Sequence, residues 1–440
     1  MKLLVKNVAK VKNAEIEIAG ITTLIGYNST GKSTVSRSLV SIGEMFSKFD
    51  EKVEKEKLLE VSREMERWEE MYRNLLRSYQ MQIKDVHATK SINMLYNIRK
   101  TRRGVSQIVF ACDSLEAFID EMYRLYNVQA FMELEENNTY KEQIDEKLCS
   151  LYDEIKKIKD KNFTEYEHNI IGKTLNKYFN NQYCSYYNEE PMHIVITNEN
   201  DEINSVCISM NGDIQYEKTS TEDLSLIYIQ PEHILDGISI LNLNLNMDKT
   251  LNDEIDENET STEREERIKA INIVNSVISK EKEIGNLQRE GDALVYMDAH
   301  LNKNIDITNV ASGAKNIVML KRLAEIGKIR KNTILVFDEP EQNLHPEWQL
   351  MLAELLVVLQ KEVGLKVFIN THSPYFLRAI EYYSDRKGML NMCKFYYMTN
   401  IDGGQSVSKD MTFDLGRVYD EMAAPLDKLL DEGYGEDEEV

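Results

Sequence analysis

Gly26, Gly31, Lys32 and Ser33 stand in the spacing G-x-x-x-x-G-K-S within "LIGYNSTGKSTVSRSL", residues 24–39. That spacing suits phosphate binding. Glycines let a loop curl until its N–H groups face an anion, the lysine adds charge at the outer phosphates, and the serine hydroxyl can ligate Mg2+. Asp338 and Glu339 end a short apolar run, "ILVF", and His372 ends the β-branched run in "KVFINTHSPYFL". A carboxylate at the end of a buried parallel strand lies where ligands bind in open α/β sheets. Asp338 can there hold Mg2+ through its water shell, and Glu339 can orient or deprotonate an attacking water. For His372 two readings stand: contact with the terminal phosphate or that water, or a structural strand-end histidine. Ser312-Gly313, opening the helical pattern "NVASGAKNIVMLKRLAEI", offers a second anion-binding helix end or a simple cap.

These residues need a strand before the glycine loop and a helix after it. "IEIAGITTLI", residues 16–25, reads as one β-branched strand ending at Gly26. Val35, Leu39, Ile42 and Phe46 then share one helical face. The first proline is Pro191, and Gly104 is the only glycine between Gly43 and Gly172. The interval is rich in helix formers. It reads as a helical insertion whose first long helix carries Leu58, Val61, Met65, Trp68 and Met71 or Tyr72 along a stripe. Further helices are expected over Leu115–Glu135 and Thr139–Lys159. "MHIVITNENDEINSVCISMNGDIQYEK" reads as a meander, and "LSLIYIQ" as a strand ending at Pro231.

Residues 236–300 read as a mobile acidic stretch followed by a helix. From Ala311 strands alternate with helices, the pattern of a parallel sheet in an α/β fold. "KFYYMTN" and "QSVS" flank a turn at Asp402-Gly403-Gly404, and a helix runs from Asp414 through Leu430. Leu415, Val418, Tyr419, Met422, Leu426 and Leu429 let that helix serve as a lid on the core or as a partner dock. The expected domains are 1–43 with 190–235, the phosphate loop and β subdomain; 44–189, the helical insertion; 236–300, the arm; 301–400, the lobe of Ser312, Asp338 and His372; 401–430, the hairpin and helix; and 431–440, an acidic tail.

A net charge of −22 over 440 residues argues against a broad DNA-coating surface. Arg99, Lys100, Arg102 and Arg103, and the lysines between Lys156 and Lys161, either contact nucleic-acid phosphates or form solvated helix faces. Five cysteines without a C-x-x-C pair read as reduced thiols. The charged N-terminus and the lack of a long apolar run predict a cytoplasmic protein with no membrane partner.

The order of phosphate loop, S-G-x-x-x, apolar strand with D-E-P-E, "LHP" and "THSP" resembles the ABC-type ATPases of the SMC and RecF branch. Within it, the chain is similar to compact bacterial ATPases related to OLD nucleases and to the anti-phage ATPase subunits of Septu and PARIS systems. The resemblance covers residues 1–43 and roughly 190–400; the insertion matches nothing in the family. It implies an ABC-type P-loop ATPase head with a mixed or parallel sheet core, a β-meander subdomain and a large helical insertion, acting on ATP with Mg2+. It also implies a head-to-head homodimer that sandwiches two ATP molecules. Gly26, Tyr27, Asn28, Ser29, Thr30, Gly31, Lys32, Ser33 and Thr34 of one chain would bind nucleotide. Ser312, Gly313, Ala314 and Lys315 of the other would close over its γ-phosphate. Ser33, Gln230 and Asp338 would serve the metal, and Lys32, Glu339 and His372 catalysis.

"ASGAKN" departs from the L-S-G-G-Q of transporters, and Gln342 and Asn343 do not reproduce the transporter loop that follows the acidic pair. About seventy residues follow His372, without the second acidic cluster that the Toprim nuclease of OLD proteins requires. Three roles are consistent with this pattern. The first is an ATPase that controls a separate effector, a nuclease or toxin, in anti-phage defence. The others are a DNA repair or recombination ATPase that clamps DNA, and a nucleotide-gated scaffold with little turnover.

Overall fold

Alternating burial sets the first strands. In β1 (Lys2–Val8) Leu3 and Val5 are buried while Lys2 and Lys6 face out; in β2 (Val11–Glu17) Ala14 and Ile16 alternate with Glu15 and Glu17. One solvated face with a period of two suits an antiparallel pair, and Leu3 lies opposite Ile16. β3 (Ile21–Ile25) is buried at every residue. The single strand expected over residues 16–25 is therefore two. The chain turns between them, where Thr22 Oγ1 accepts the Ala19 N–H and donates to the Glu17 carbonyl. α1 (Lys32–Phe46) buries Val35, Leu39, Ile42 and Phe46, the stripe its spacing predicts.

The computed structural model describes residues 1–83, 102–126, 128, 139–220, 224–230, 259–278, 284–290, 293–298, 303–306, 309–310 and 312–434. They form two compact units, Met1–Ser47 with Lys173–Val440, and Lys48–Gly172. The helices that follow α1 are α2 (Phe49–Ile83), α3 (Arg102–Ala111), α4 (Leu115–Leu125), α5 (Thr139–Asp160) and α6 (Phe163–Phe179). In the unit of residues 48–172, Val61, Met65, Trp68 and Tyr72 of α2 meet Phe118 and Leu148 in one apolar cluster. Trp68 stacks on Tyr72 with ring centroids 5.1 Å apart, an arrangement that adds to the burial of two large rings. α4 ends at Leu125, ten residues short of the expected Glu135; of the remainder, Tyr126 and Val128 alone are described.

Of the basic clusters, Arg99 and Lys100 lie outside the described residues. Lys157, Lys159 and Lys161 form ion pairs with Glu154, Asp113 and Glu165. Those three lysines serve the protein's own carboxylates, which favours the solvated-face reading for that cluster.

The other unit continues with β4 (Met192–Thr197), β5 (Ile203–Ile208), β6 (Ile214–Lys218), β7 (Leu226–Ile229), α7 (Ser261–Ile278), β8 (Asn286–Glu290), β9 (Ala293–Met297) and β10 (Asn304–Asp306). It closes with α8 (Ser312–Glu325), β11 (Ile334–Asp338), α9 (Pro346–Val363), β12 (Lys366–Thr371), α10 (Pro374–Arg386), β13 (Cys393–Asn400), β14 (Ser406–Asp410) and α11 (Leu415–Tyr434). An eleven-stranded sheet has the order β6-β5-β4-β1-β2-β14-β13-β3-β12-β11-β7. From β13 to β7 every pairing is parallel, while β6 to β2 form an antiparallel meander with the β1–β2 hairpin. The fold is thus α/β, with a large mixed sheet. β8, β9 and β10 make a separate antiparallel sheet where the composition suggested only a mobile arm and a helix. Charged "NLQRE" and short "ALVYM" lack the long β-branched runs that announce strands. The expected acidic stretch falls largely on 231–258, outside the described residues.

Val418 of α11 is buried, and Leu415, Tyr419 and Met422 pack on the same core. Leu426 and Leu429 have side chains outside the description. Among the described residues, no helix is long and apolar enough to cross a membrane.

Candidate active site

Three parallel strands end side by side: β3 leads into the glycine loop, β11 ends at Asp338, and β12 ends at Thr371, before His372. The register sets Asp338 opposite Asn370, so the chemical residues gather at one sheet end as buried strand edges require. In the loop, Tyr27, Asn28 and Ser29 are exposed, Thr30 is buried, and Gly31, Ser33 and Thr34 are half-buried. Thr30 Oγ1 donates to the Tyr27 carbonyl at 2.8 Å, and Lys10 Nζ to the Ser29 carbonyl at 2.6 Å. Gly31 caps α1 without a side chain, and the first turn carries no acid. The positive helix end is therefore left to an anion.

Gly26 passes against the backbone of β13: a Cβ there would meet the Met398 carbonyl oxygen at 2.5 Å. Gly26→Ala must displace the loop from that strand. It is expected to lower stability by about 1–3 kcal/mol through backbone strain, read as a lower melting temperature, together with weaker nucleotide binding.

Lys32 Nζ donates to the carbonyls of Gly26 and Tyr27 at 2.8 and 2.9 Å. Burial lowers its pKa from the ordinary 10.5, while Glu339, Asp338 and Glu341 act in the opposite direction. One buried cation thus faces three carboxylates. Asp338 is 2% exposed. Its Oδ1 accepts Asn370 Nδ2 at 2.8 Å, and its Oδ2 has only long contacts, to Tyr228 Oη at 3.3 Å and Gln230 Nε2 at 3.5 Å. Asn370 Nδ2 also donates to Ser36 Oγ at 2.6 Å, which ties α1 to both strands. Burial first, and then Asp338, push the Tyr228 hydroxyl well above its ordinary pKa.

Glu339 takes a left-handed backbone, φ +49°, and its N–H donates to the Asn370 carbonyl at 2.9 Å. Its Oε1 lies 3.2 Å from His372 Nδ1. The hydrogen bond to His372 lowers the Glu339 pKa against the opposing effect of burial, with Lys32 helping. The same bond raises His372 from its ordinary 6.5, burial opposing it. Glu341, 4% exposed, has its carboxyl pushed up by burial.

The sign follows for each partner. Glu339 contributes stability that is present above 4.5 and lost as pH falls through its lowered value; His372 contributes stability that is present below 6.5 and lost as pH rises through its raised value. The pair is fully formed between those limits. The charged groups facing Glu339 are His372, Lys32 and Glu341. His372→Gln removes the largest lowering influence on Glu339. The acid limb of an ATP turnover profile is expected to move to higher pH in that variant, and an unmoved limb would separate the two residues.

At α8, Ala314 and Lys315 are buried at 7% and 1% exposure, and the side chain of Ser312 lies outside the description. A Cβ on Gly313 would meet the Asn343 carbonyl oxygen at 2.5 Å, and Asn316 Nδ2 donates to the Pro340 carbonyl at 3.1 Å. The start of α8 is thus seated on the loop that carries Glu339.

The structure brings Lys32, Asp338, Glu339, His372 and Gln230 together. Sequence reasoning missed Asn370, Tyr228, Ser36 and Glu341. Its one available signal was the second acid of D-E-P-E. It also missed the hydrogen bond from Tyr27 Oη to the Glu421 carbonyl, which joins the glycine loop to α11.

A Mg2+ ion fits the donors present. Ser33, Asp338 and Gln230 each carry an oxygen suited to a hard cation, and the Asp338 Oδ2 contacts, including that from Gln230 Nε2, are long enough to yield. Among the described residues there is no cluster of three or more His, Cys, Asp or Glu able to hold a metal alone. Mg2+ commonly uses one or two carboxylates together with substrate phosphates.

Among solved structures, the chain is similar to the SMC head domain from Thermotoga maritima, with 10% identity and a TM-score of 0.37 over 93% of this chain and 97% of that one. An SMC head bound to the C-winged helix domain of ScpA matches at 11% identity and 0.44, over 94% and 98%. The recombination mediator protein RecF-ATPrS of the RecFOR pathway matches at 10% and 0.34, over 93% and 97%. Among curated proteins none matches. The model of the AAA ATPase domain family matches residues 1–377, most of the chain, and the protein therefore belongs to that family.

Proposed function

We propose that the protein hydrolyses ATP at the ends of β3, β11 and β12, and that two copies close around ATP to control a separately encoded effector. The observation that carries the hydrolytic reading is the meeting of Lys32, Asp338 and the Glu339–His372 pair at one sheet end. The glycine loop and the start of α1 take the phosphates on backbone N–H groups. Lys32 exchanges its loop carbonyls for the outer phosphates, a short movement for a flexible stem. Ser33, Asp338 and Gln230 would hold Mg2+, which neutralises developing charge on the phosphates. Glu339, held as a carboxylate by His372, takes the proton of the attacking water.

Because Ala314 and Lys315 are buried, their part is to seat α8. The backbone N–H groups and hydroxyl at Ser312-Gly313 then meet the γ-phosphate bound by the partner copy. Loss of that phosphate removes a ligand shared between protomers, so hydrolysis reopens the dimer and acts as a timer. Control of a nuclease or toxin in anti-phage defence rests on the motif order read from the sequence.

Tagged Glu339→Gln protein co-expressed with its genomic neighbours, purified with and without ATP, tests the effector reading. A stoichiometric partner whose retention depends on ATP is expected. A homodimer that retains DNA in ATP and no protein partner would replace this reading with a DNA clamp.

A further inference from the structure

We propose that Glu341 is a positioning residue for hydrolysis: its buried carboxylate joins the turn that carries Glu339 to the strand end that carries His372. This rests on the reading of that pair as hydrolytic. Glu341 Oε1 accepts the Thr371 hydroxyl and, at 3.3 Å, the backbone N–H of His372. Thr371 Oγ1 in turn accepts the Ser373 N–H at 3.0 Å, and Ser373 Oγ accepts the Phe376 N–H at 3.1 Å, capping α10. One carboxylate oxygen therefore anchors Thr371 and His372 directly, and Ser373 through the Thr371 hydroxyl.

On the other side, Gln342 N–H donates to the Glu339 carbonyl at 3.0 Å and Leu344 N–H to the Glu341 carbonyl at 3.1 Å. Glu339 and Glu341 thus share one closed turn. The His372 ring stands 3.2 Å from Glu339 and 3.9 Å from Glu341, so the bond to Glu339 is the one the network orients.

A role in stability alone fits poorly. Glu341 is 4% exposed, and among the described residues its Oε2 has no hydrogen-bond partner. An unsatisfied buried oxygen destabilises, a cost set against the two hydrogen bonds that its neighbour Oε1 accepts. What an apolar side chain lacks is the acceptor for Thr371 and His372.

The test measures kcat, KM for ATP and melting temperature in the full chain, for Glu341→Ala, Glu341→Gln, Thr371→Val and Thr371→Ser, beside wild type and Glu339→Gln. Glu341→Gln keeps the accepting oxygen and puts its amide nitrogen where the unpartnered oxygen was. Misplaced reacting groups lose about tenfold to a hundredfold in rate. That loss is expected in kcat for Glu341→Ala and Thr371→Val, with KM unchanged. Glu341→Gln and Thr371→Ser should restore most of kcat and melt near wild type. Full kcat in Glu341→Ala overturns the inference, as does a glutamine variant that loses as much as the alanine one. A kcat loss that only follows a lower melting temperature also overturns it. Wild type without turnover would overturn the hydrolytic reading itself. Turnover abolished by Glu339→Gln but untouched by Glu341→Ala would overturn this inference alone.

Discussion

Glu339→Gln is expected to bind ATP as wild type does while its kcat falls by about 100- to 10,000-fold, the range associated with loss of a general base. The backbone at this position is fixed independently of the side chain, through the bond from Glu339 N–H to the Asn370 carbonyl. The substitution preserves shape and a hydrogen bond to His372, and removes only the group that can take a proton. Lys32 and the loop that meets the phosphates are untouched, so affinity stays. Phosphate release and nucleotide titration on the same preparation check both halves. Turnover at the wild-type rate would assign the base elsewhere.

Lys32→Ala should remove binding itself. Its ammonium is the cation facing Asp338, Glu339 and Glu341. Without it the phosphates of ATP would approach those carboxylates with only His372, already paired to Glu339, to offset the charge. Charge-assisted hydrogen bonds contribute about 1.5–3 kcal/mol each, and every 1.4 kcal/mol is about tenfold in affinity. Two such bonds make the expected loss about a hundredfold or more. Lys32→Arg should restore little, because a planar guanidinium does not fit between the carbonyls of Gly26 and Tyr27 as a compact ammonium does. Calorimetric titration with ATP and Mg2+ reads the effect, and an affinity within a few-fold of wild type would detach Lys32 from the phosphates.

The sequence was most legible where a short pattern and its chemistry coincide. The glycine loop had to follow a strand, and Asp338 had to end one, because buried apolar runs mark parallel strands. Their adjacency followed from the fold class. The partners of Asp338 were not legible, since Asn370, Tyr228 and Ser36 reach it through register between β7, β11, β12 and α1. Register is a tertiary property that no local spacing records. Residues 16–25 looked like one strand because β-branched composition says nothing of the corner Thr22 makes. The β8–β10 sheet was hidden for the opposite reason, its strands being short and carrying too few β-branched residues. Glu341 stood in view within D-E-P-E, but its significance lies in burial and in the bonds it accepts from the next strand end.

The most direct measurement is the solution mass of the Glu339→Gln protein with and without ATP and Mg2+. Closure around a shared ATP predicts a dimer that forms only with ATP and persists, because the γ-phosphate is not removed. A mass that stays the same while ATP is demonstrably bound would contradict it.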